Sequence, residues 1–285
     1  MVGAARPPAA ANIGIAAADD NIPGVLLPED IPNIAGAYLS ESTDTDDVYR
    51  VYLSPNETFV VSLYTFAPDF ELWFFGPGAT NVATDIALLS TNTGSYPRNL
   101  VYHIPSDGTP GSYYLDVYAR PVSGTDSGAY DLRYLTLSPV YRFYNFINGV
   151  HFYTRDYAEA QNVGATAGWT FRSEGSSFSG YRNNANNMYK PVHRFYNFIQ
   201  GAHFYTANQA EATYVNDNLW GTFRYEGVAY YASNPQLSGE IPVHRFYNFL
   251  QGVHFYTADQ AEATYVNDNL WGTFRYEGIA YYVLP

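Results

Sequence analysis

The chain has 285 residues, no Cys, a single Lys and a formal net charge of −13. Thiol chemistry, disulfides and Cys-ligated metals are therefore excluded, and a chain so acidic and so poor in Lys is a weak partner for nucleic acid. Hydrophobic residues make up 47% and Tyr alone accounts for 29 positions, so the chain is globular, while no apolar run approaches the ~18 residues of a membrane span.

The acid is unevenly placed. Residues 1–137 carry 5 Arg against 16 Asp and Glu, whereas residues 138–285 carry 9 basic and 11 acidic side chains. Two halves of different charge suggest two domains. Residues 1–30 open as an Ala/Pro-rich stretch, MVGAARPPAAANIGIAAADD, with no apolar core segment; it is expected to be a disordered or processed tail. Residues 31–137 then show short period-two segments, Asp47–Leu53, Phe59–Tyr64, Glu71–Phe75, Ser112–Tyr118 and Ala129–Tyr134. The turn signals SPNE, GPGA, SDGTPG and SGTDSG separate them, so an antiparallel, jelly-roll-like β-sandwich is expected.

The pattern Asp46-Asp47-Val48-Tyr49, Asp69-Phe70-Glu71-Leu72-Trp73, Gly111–Val117 and Gly128–Leu132 resembles the bacterial pre-peptidase C-terminal domain, a small sandwich found beside secreted hydrolases. That resemblance implies an accessory, non-catalytic extracellular domain. Asp44, Asp46 and Asp47 are a candidate calcium cluster, because hard cations take several carboxylate oxygens. The EF-hand spacing is absent, and a solvated loop before a strand is the competing reading.

Residues 138–285 contain an internal repeat, with copies at about 139–190, 191–241 and 242–285. Val192–Tyr231 and Val243–Tyr282 differ only at Ile199/Leu250, Ala202/Val253, Asn208/Asp259 and Val228/Ile279. The first copy is more divergent, lacks the Tyr before its Glu, and has a Ser/Asn-rich tail at 176–187. Each copy suggests a strand (Val-His-Arg-Phe-Tyr-Asn), a Gly turn and a second strand (His-Phe-Tyr-Thr). A short helix over Ala258–Val266 follows, capped by Thr257, and then two further strands from Trp271 and Gly278. Four strands in three copies fit a threefold β-trefoil with short helices, since three units are too few for a propeller. The motif set of Tyr/His-Arg-Phe, Gly before His-Phe-Tyr-Thr, Trp and Glu-Gly resembles a repeat family of unknown function found in secreted bacterial proteins, and that resemblance also implies a trefoil-like fold. The ricin-type Gln-x-Trp signature is missing, so no sugar contacts carry over from that lectin family.

HExxH, GxSxG and P-loop patterns are absent, and three near-identical copies of a whole active site argue against catalysis. His151, His203 and His254 would form a His₃ metal site if they met on the threefold axis. Trp169, Trp220 and Trp271 are each followed by an Arg (Arg172, Arg224, Arg275) and a Glu (Glu174, Glu226, Glu277). An aromatic plate beside charged hydrogen-bonding groups suits a sugar ring. Against this, each Trp would serve equally as a core residue and each Arg–Glu as a structural pair. Phe143, Phe195 and Phe246 are expected in the core. Tyr153, Tyr205 and Tyr256 share a strand face with the His residues and are expected on an outward polar shelf. The expected function is multivalent binding of extracellular polysaccharide or cell-envelope material, without catalysis. A Tyr-rich self-associating structural or adhesive protein, or an accessory part of a secreted hydrolase, are the alternatives.

Overall fold

The computed structural model describes residues 21–28, 33–40, 44–65, 70–91, 97–119, 127–166, 170–184 and 188–285. The fold is mostly β, in two compact units, Met1–Thr136 and Leu137–Pro285.

The first unit is built from β1 (Val25–Leu26), β2 (Asn33–Ser40), β3 (Asp46–Leu53), β4 (Thr58–Thr65), β5 (Phe70–Phe75), β6 (Leu89–Thr91), β7 (Arg98–His103), β8 (Gly111–Ala119) and the first half of β9 (Ser127–Asn145). One sheet has the order β1-β3-β8-β5-β6; the other pairs β2 with β9 and continues through β4 to β7. Period-two alternation sets the inner face: Phe59, Val61 and Leu63 of β4 are fully buried, while Val60, Ser62 and Tyr64 turn outward. They meet Leu72 and Phe74 of β5, Leu115 and Val117 of β8, and Leu132 of β9 in one core. Each such side chain contributes ~1.5–3 kcal/mol on burial. The outer face of this sheet is covered as well: Val48 of β3, Phe75 of β5 and Tyr114 of β8 pack together, with Trp73 of β5 and Ala79, Val82 and Ala87 of the β5–β6 loop against them.

The expected tail meets the structure only in part. Residues 1–20 lie outside the described residues. Val25–Leu26 pairs in parallel with β3, and Leu27 is buried in the core, so the tail reading is corrected for residues 21–28. Strands β2, β6 and β7 were not anticipated.

The second unit contains the three copies. Copy one uses β9 from Leu137 onward, β10 (Val150–Thr154), α1 (Tyr157–Thr166) and β11 (Phe171–Tyr181). Copy two uses β12 (Lys190–Asn197), β13 (Ala202–Thr206), α2 (Gln209–Asn218) and β14 (Phe223–Ala232). Copy three uses β15 (Ile241–Asn248), β16 (Val253–Thr257), α3 (Gln260–Asn269) and β17 (Phe274–Val283). The hairpin registers coincide: Phe143 faces Phe152, Phe195 faces Phe204, and Phe246 faces Phe255. These Phe pairs pack with Ala160, with Ala212 and Val215, and with Ala263 and Val266 of the local helix.

Two local expectations are corrected. The cap of α3 is Asp259, whose carboxylate accepts from the backbone N–H groups of Ala261 and Glu262, and Asn208 does the same for α2. Thr257 Oγ1 instead accepts from the N–H of Asp259 at 3.0 Å. Trp271 lies in the turn before β17, and Gly278 does not begin a separate strand. Each copy therefore has three strands, the last interrupted by two register shifts, of which the one between Arg245 and Phe246 bears on the site. Arg245 pairs with Gly278 and Phe246 with Tyr276, leaving Glu277 as the extra residue. Gly278 takes φ 107°, which a side chain would resist, and that conformation turns Glu277 inward.

Candidate functional site

The repeat builds three different environments: a sealed centre, a charged seam with a polar cleft of about 280 Å³ beside Arg194, Glu159 and Glu226, and a pocket under the helix.

The first environment is the centre. Tyr153, Tyr205 and Tyr256 are 2%, 1% and 1% exposed, so the outward shelf expected for them is corrected. Their rings stand edge-to-face, with centroids 5.7–6.0 Å apart. Tyr205 Oη donates to the carbonyl of Tyr153 and accepts from its N–H; Tyr256 Oη does the same for Tyr205. Tyr153 Oη donates to the carbonyl of Tyr256, which closes the ring at 2.5 Å. The phenols satisfy backbone groups that the hairpins leave open, a task Phe cannot perform. Burial pushes all three hydroxyls above their ordinary value.

The second environment is the seam between copies. Arg142, Arg194 and Arg245 each reach a helix Glu of another copy: Glu262, Glu159 and Glu211, at 2.6, 2.8 and 2.8 Å. Each Nε also meets the bulged Glu of its own copy, Glu174, Glu226 or Glu277, at 2.7, 3.1 and 3.0 Å. His151, His203 and His254 place Nε2 3.1–3.3 Å from the same carboxylates. Their rings lean on Phe255, Phe152 and Phe204 of a neighbouring copy. A hydrogen bond from His203, with Arg224 and Arg194 beside it, holds Glu226 down to about 2 against the opposing effect of burial. Burial, aided by the Arg142 charge, holds His151 down to about 4. The His residues are thus seam residues and do not gather on the axis as a metal site. Among the described residues no group of three or more His, Asp or Glu is disposed to hold a metal ion.

Arg172, Arg224 and Arg275 are the exposed ends of these networks, 66%, 63% and 69% exposed, each bonded to its bulged Glu. They also lie over the rings of Tyr144, Tyr196 and Tyr247 at 5.5–5.7 Å. Trp220 and Trp271 are 76% exposed, in the turns after α2 and α3, while Trp169 lies outside the described residues. The structure therefore joins the predicted Arg, Glu and His residues, and seals the Tyr residues away from any ligand.

The third environment was missed in the sequence. In copy two a cavity of about 200 Å³ opens between α2 and the sheet. His193 forms its inner wall: Nε2 bonds Gln209 Oε1 at 3.1 Å and Nδ1 bonds Tyr225 Oη at 2.9 Å. If Nε2 donates to the Gln209 oxygen, Nδ1 accepts from the phenol. Tyr225 is 43% exposed, stands 5.0 Å from Phe195, and forms an aromatic wall. Thr213, Asn216 and Asp217 of α2 bring polar groups to the mouth. Copy three repeats the arrangement, with His244 bonding Gln260 at 3.2 Å and Tyr276 at 3.0 Å. In copy one Tyr141, Tyr157 and Ser173 replace the His, the Gln and the aromatic wall, and Gly164 and Ala165 replace the mouth Asn and Asp. Its cavity is wider, about 470 Å³.

In the first unit the predicted calcium cluster does not converge. Asp46 accepts from Thr45 Oγ1, whereas Asp47, on the opposite face of β3, accepts from the buried Tyr130 hydroxyl at 2.5 Å. Behind them lies Asp116, 4% exposed, with Oδ1 unpartnered. Burial pushes its carboxyl well above the usual range, and Asp46, Asp47 and Glu71 add to the effect.

Comparison with curated proteins gives no match. Among solved structures the chain is similar to the Aeromonas hydrophila PliG protein, a periplasmic lysozyme inhibitor of g-type lysozyme. The identity is 14%, over 39% of this chain and 93% of that one, with a TM-score of 0.31. It is also similar to the pre-peptidase C-terminal domain of collagenase from Bacillus anthracis, at 16% identity over 38% of this chain and 97% of that one, with a TM-score of 0.29. Residues 139–284, just over half of the sequence and all three copies, match a family-wide pattern: the chain belongs to the family described as Domain of unknown function (DUF5648).

Proposed function

We propose that the chain is a non-catalytic extracellular binding protein that recognises saccharide units of polysaccharide or cell-envelope material through the pockets of copies two and three. The observation that carries this reading is the pocket of copy two, whose His–Gln–Tyr arrangement is repeated in copy three. Tyr225 and Tyr276 offer a ring face of the kind that stacks on a sugar, and Asn216/Asp217 and Asn267/Asp268 offer the paired oxygens and amides that take vicinal hydroxyls. About 200 Å³ suits a single sugar ring rather than an extended ligand. Copy one has lost this polar set, so two weak sites on one body would act together.

The threefold ring of hairpins is read as a β-trefoil, and the N-terminal sandwich as an accessory domain of the pre-peptidase C-terminal type. No helix among the described residues is long and apolar enough to cross a membrane. The seam networks support a structural role for the Arg–Glu–His groups, because each carboxylate already serves several donors.

A glycan array probed with the wild type and with Tyr225→Ala/Tyr276→Ala tests the reading. Binding that disappears in the double variant supports it. Silence of the wild type on every glycan refutes it, as does binding unchanged in the variant.

A further inference from the structure

The three hairpin tips form a separate surface at one end of the second unit. Val150, Ala202 and Val253, which directly follow the tips, pack against one another, so the tips converge. Side chains tie them together: Asn148 Nδ2 donates to the carbonyls of Gln200 and Gly201, and Gln251 Nε2 donates to the carbonyl of Asn148. The Trp-bearing turns lie at the same end, because the N–H of Phe198 bonds the carbonyl of Thr222 and that of Phe249 bonds Thr273.

This end is apolar and exposed. Phe146, Phe198 and Phe249 are 47–48% exposed, Ile147, Ile199 and Leu250 are 70–74% exposed, and Trp220 and Trp271 are 76% exposed. Tips 145–150, 197–202 and 248–253, and turns 219–223 and 270–274, contain no ionisable side chain. Monomeric soluble proteins rarely leave a contiguous apolar patch of more than a few hundred Å² uncovered.

From this surface we propose that the tip face docks on a lipid bilayer, inserting its Phe, Ile, Leu and Trp side chains into the interfacial layer. Three features favour lipid over a protein partner. First, the amides of tips two and three are satisfied internally. In tip two the N–H of Phe198 goes to Thr222, those of Ile199 and Gln200 go to Asn197 Oδ1, and that of Gly201 goes to the Asn197 carbonyl. Tip three repeats the set around Asn248. Amides so satisfied enter an apolar layer without orphaned N–H groups. Second, Trp at the rim of an aliphatic and Phe cluster is the composition of interfacial anchors. Third, Arg172, Arg224 and Arg275 lie just behind the tips with their guanidinium groups outward, while their Glu partners are only 15–18% exposed. The charge that these strands themselves turn outward behind the tips is therefore positive. Asp217 lines the side pocket, so the tip face stands apart from the saccharide site.

Flotation of the full chain with phosphatidylcholine vesicles, with and without a minority of phosphatidylglycerol, tests the proposal. Intrinsic Trp fluorescence is recorded in parallel. Both vesicles should carry the protein, the anionic ones more strongly, with a blue shift on binding. Ile199→Ser/Leu250→Ser, at positions 70% exposed, should fold normally and lose about tenfold or more in vesicle affinity. Ile86→Ser, at a 93% exposed site of the first unit, should bind like the wild type. Three results would overturn the proposal. One is the absence of flotation with either vesicle. Another is equal flotation of the tip variant. The third is light scattering that shows a dimer, dispersed by the tip substitutions, in protein that ignores vesicles; the face would then belong to a second copy.

Discussion

At the scale of single residues, each member of the His-Phe-Tyr-Thr motif has a separate structural task. The His leans on a Phe of the preceding copy around the ring, the Phe fills the local core, the Tyr hydroxyl replaces a missing strand partner, and the Thr receives an amide before the helix. The alternation of the strand was legible in the sequence. What was not legible is that both faces of these strands are buried, so sharing a face with His did not put Tyr outside. Tyr205→Phe should lower the stability of the second unit by about 1–3 kcal/mol, because it leaves a buried N–H and a buried carbonyl unpaired; chemical denaturation measures it. Asp116→Asn should act oppositely. At neutral pH it removes a charge that burial disfavours, so the first unit should gain on the order of 1 kcal/mol, with the gain shrinking as pH approaches 3.8. A loss of stability at neutral pH would show that the carboxylate is needed.

At the scale of elements, the hairpin and the helix of each copy were readable because two copies of 40 residues agree almost throughout. The boundaries were less so. Thr257 and Asp259 are both good caps, and only the geometry shows that Asp259 holds the first turn. Asp259→Ala should therefore cost about 1 kcal/mol, whereas Asp259→Asn should be nearly neutral, since Asn208 caps α2 in the same way. Thermal melting of the two variants checks this difference. The Glu-Gly pair suggested a strand break and proved to be a bulge that brings the Glu to the seam. The pocket escaped notice for a related reason. The His before Phe-Tyr-Thr belongs to the seam, while the His that lines the cavity opens the preceding strand, 16 residues from its Gln and 32 from its Tyr. The same spacing in copy three and its loss in copy one was the available signal.

At the scale of the whole molecule, the buried Asp116 of the first unit and the seam groups of the second pull in opposite directions with pH. Glu226 sits at about 2 against an ordinary 4.5, so its stabilisation is complete above 4.5 and is lost as pH falls toward 2. His151 sits at about 4 against 6.5, so protonation favours the unfolded chain as pH falls from 6.5 to about 4. Acidification should thus weaken the second unit, and Glu226→Gln should flatten the lower part of that loss. Asp116 is raised, so its contribution to the first unit weakens as pH rises above 3.8. Melting followed from pH 7 to pH 3 should separate the two transitions if the units unfold independently. The threefold ring was foreshadowed by the repeat, but its closure by Arg–Glu pairs and phenols depends on contacts between residues 34 to 120 positions apart, which no local pattern displays. The central claim is that copies two and three each hold one saccharide pocket. Titration calorimetry with a glycan that the wild type binds tests it most directly. The account predicts two sites per chain, one after Tyr225→Ala and none after Tyr225→Ala/Tyr276→Ala, each variant retaining the wild-type melt. Three equal sites, or binding that survives both substitutions, would contradict it.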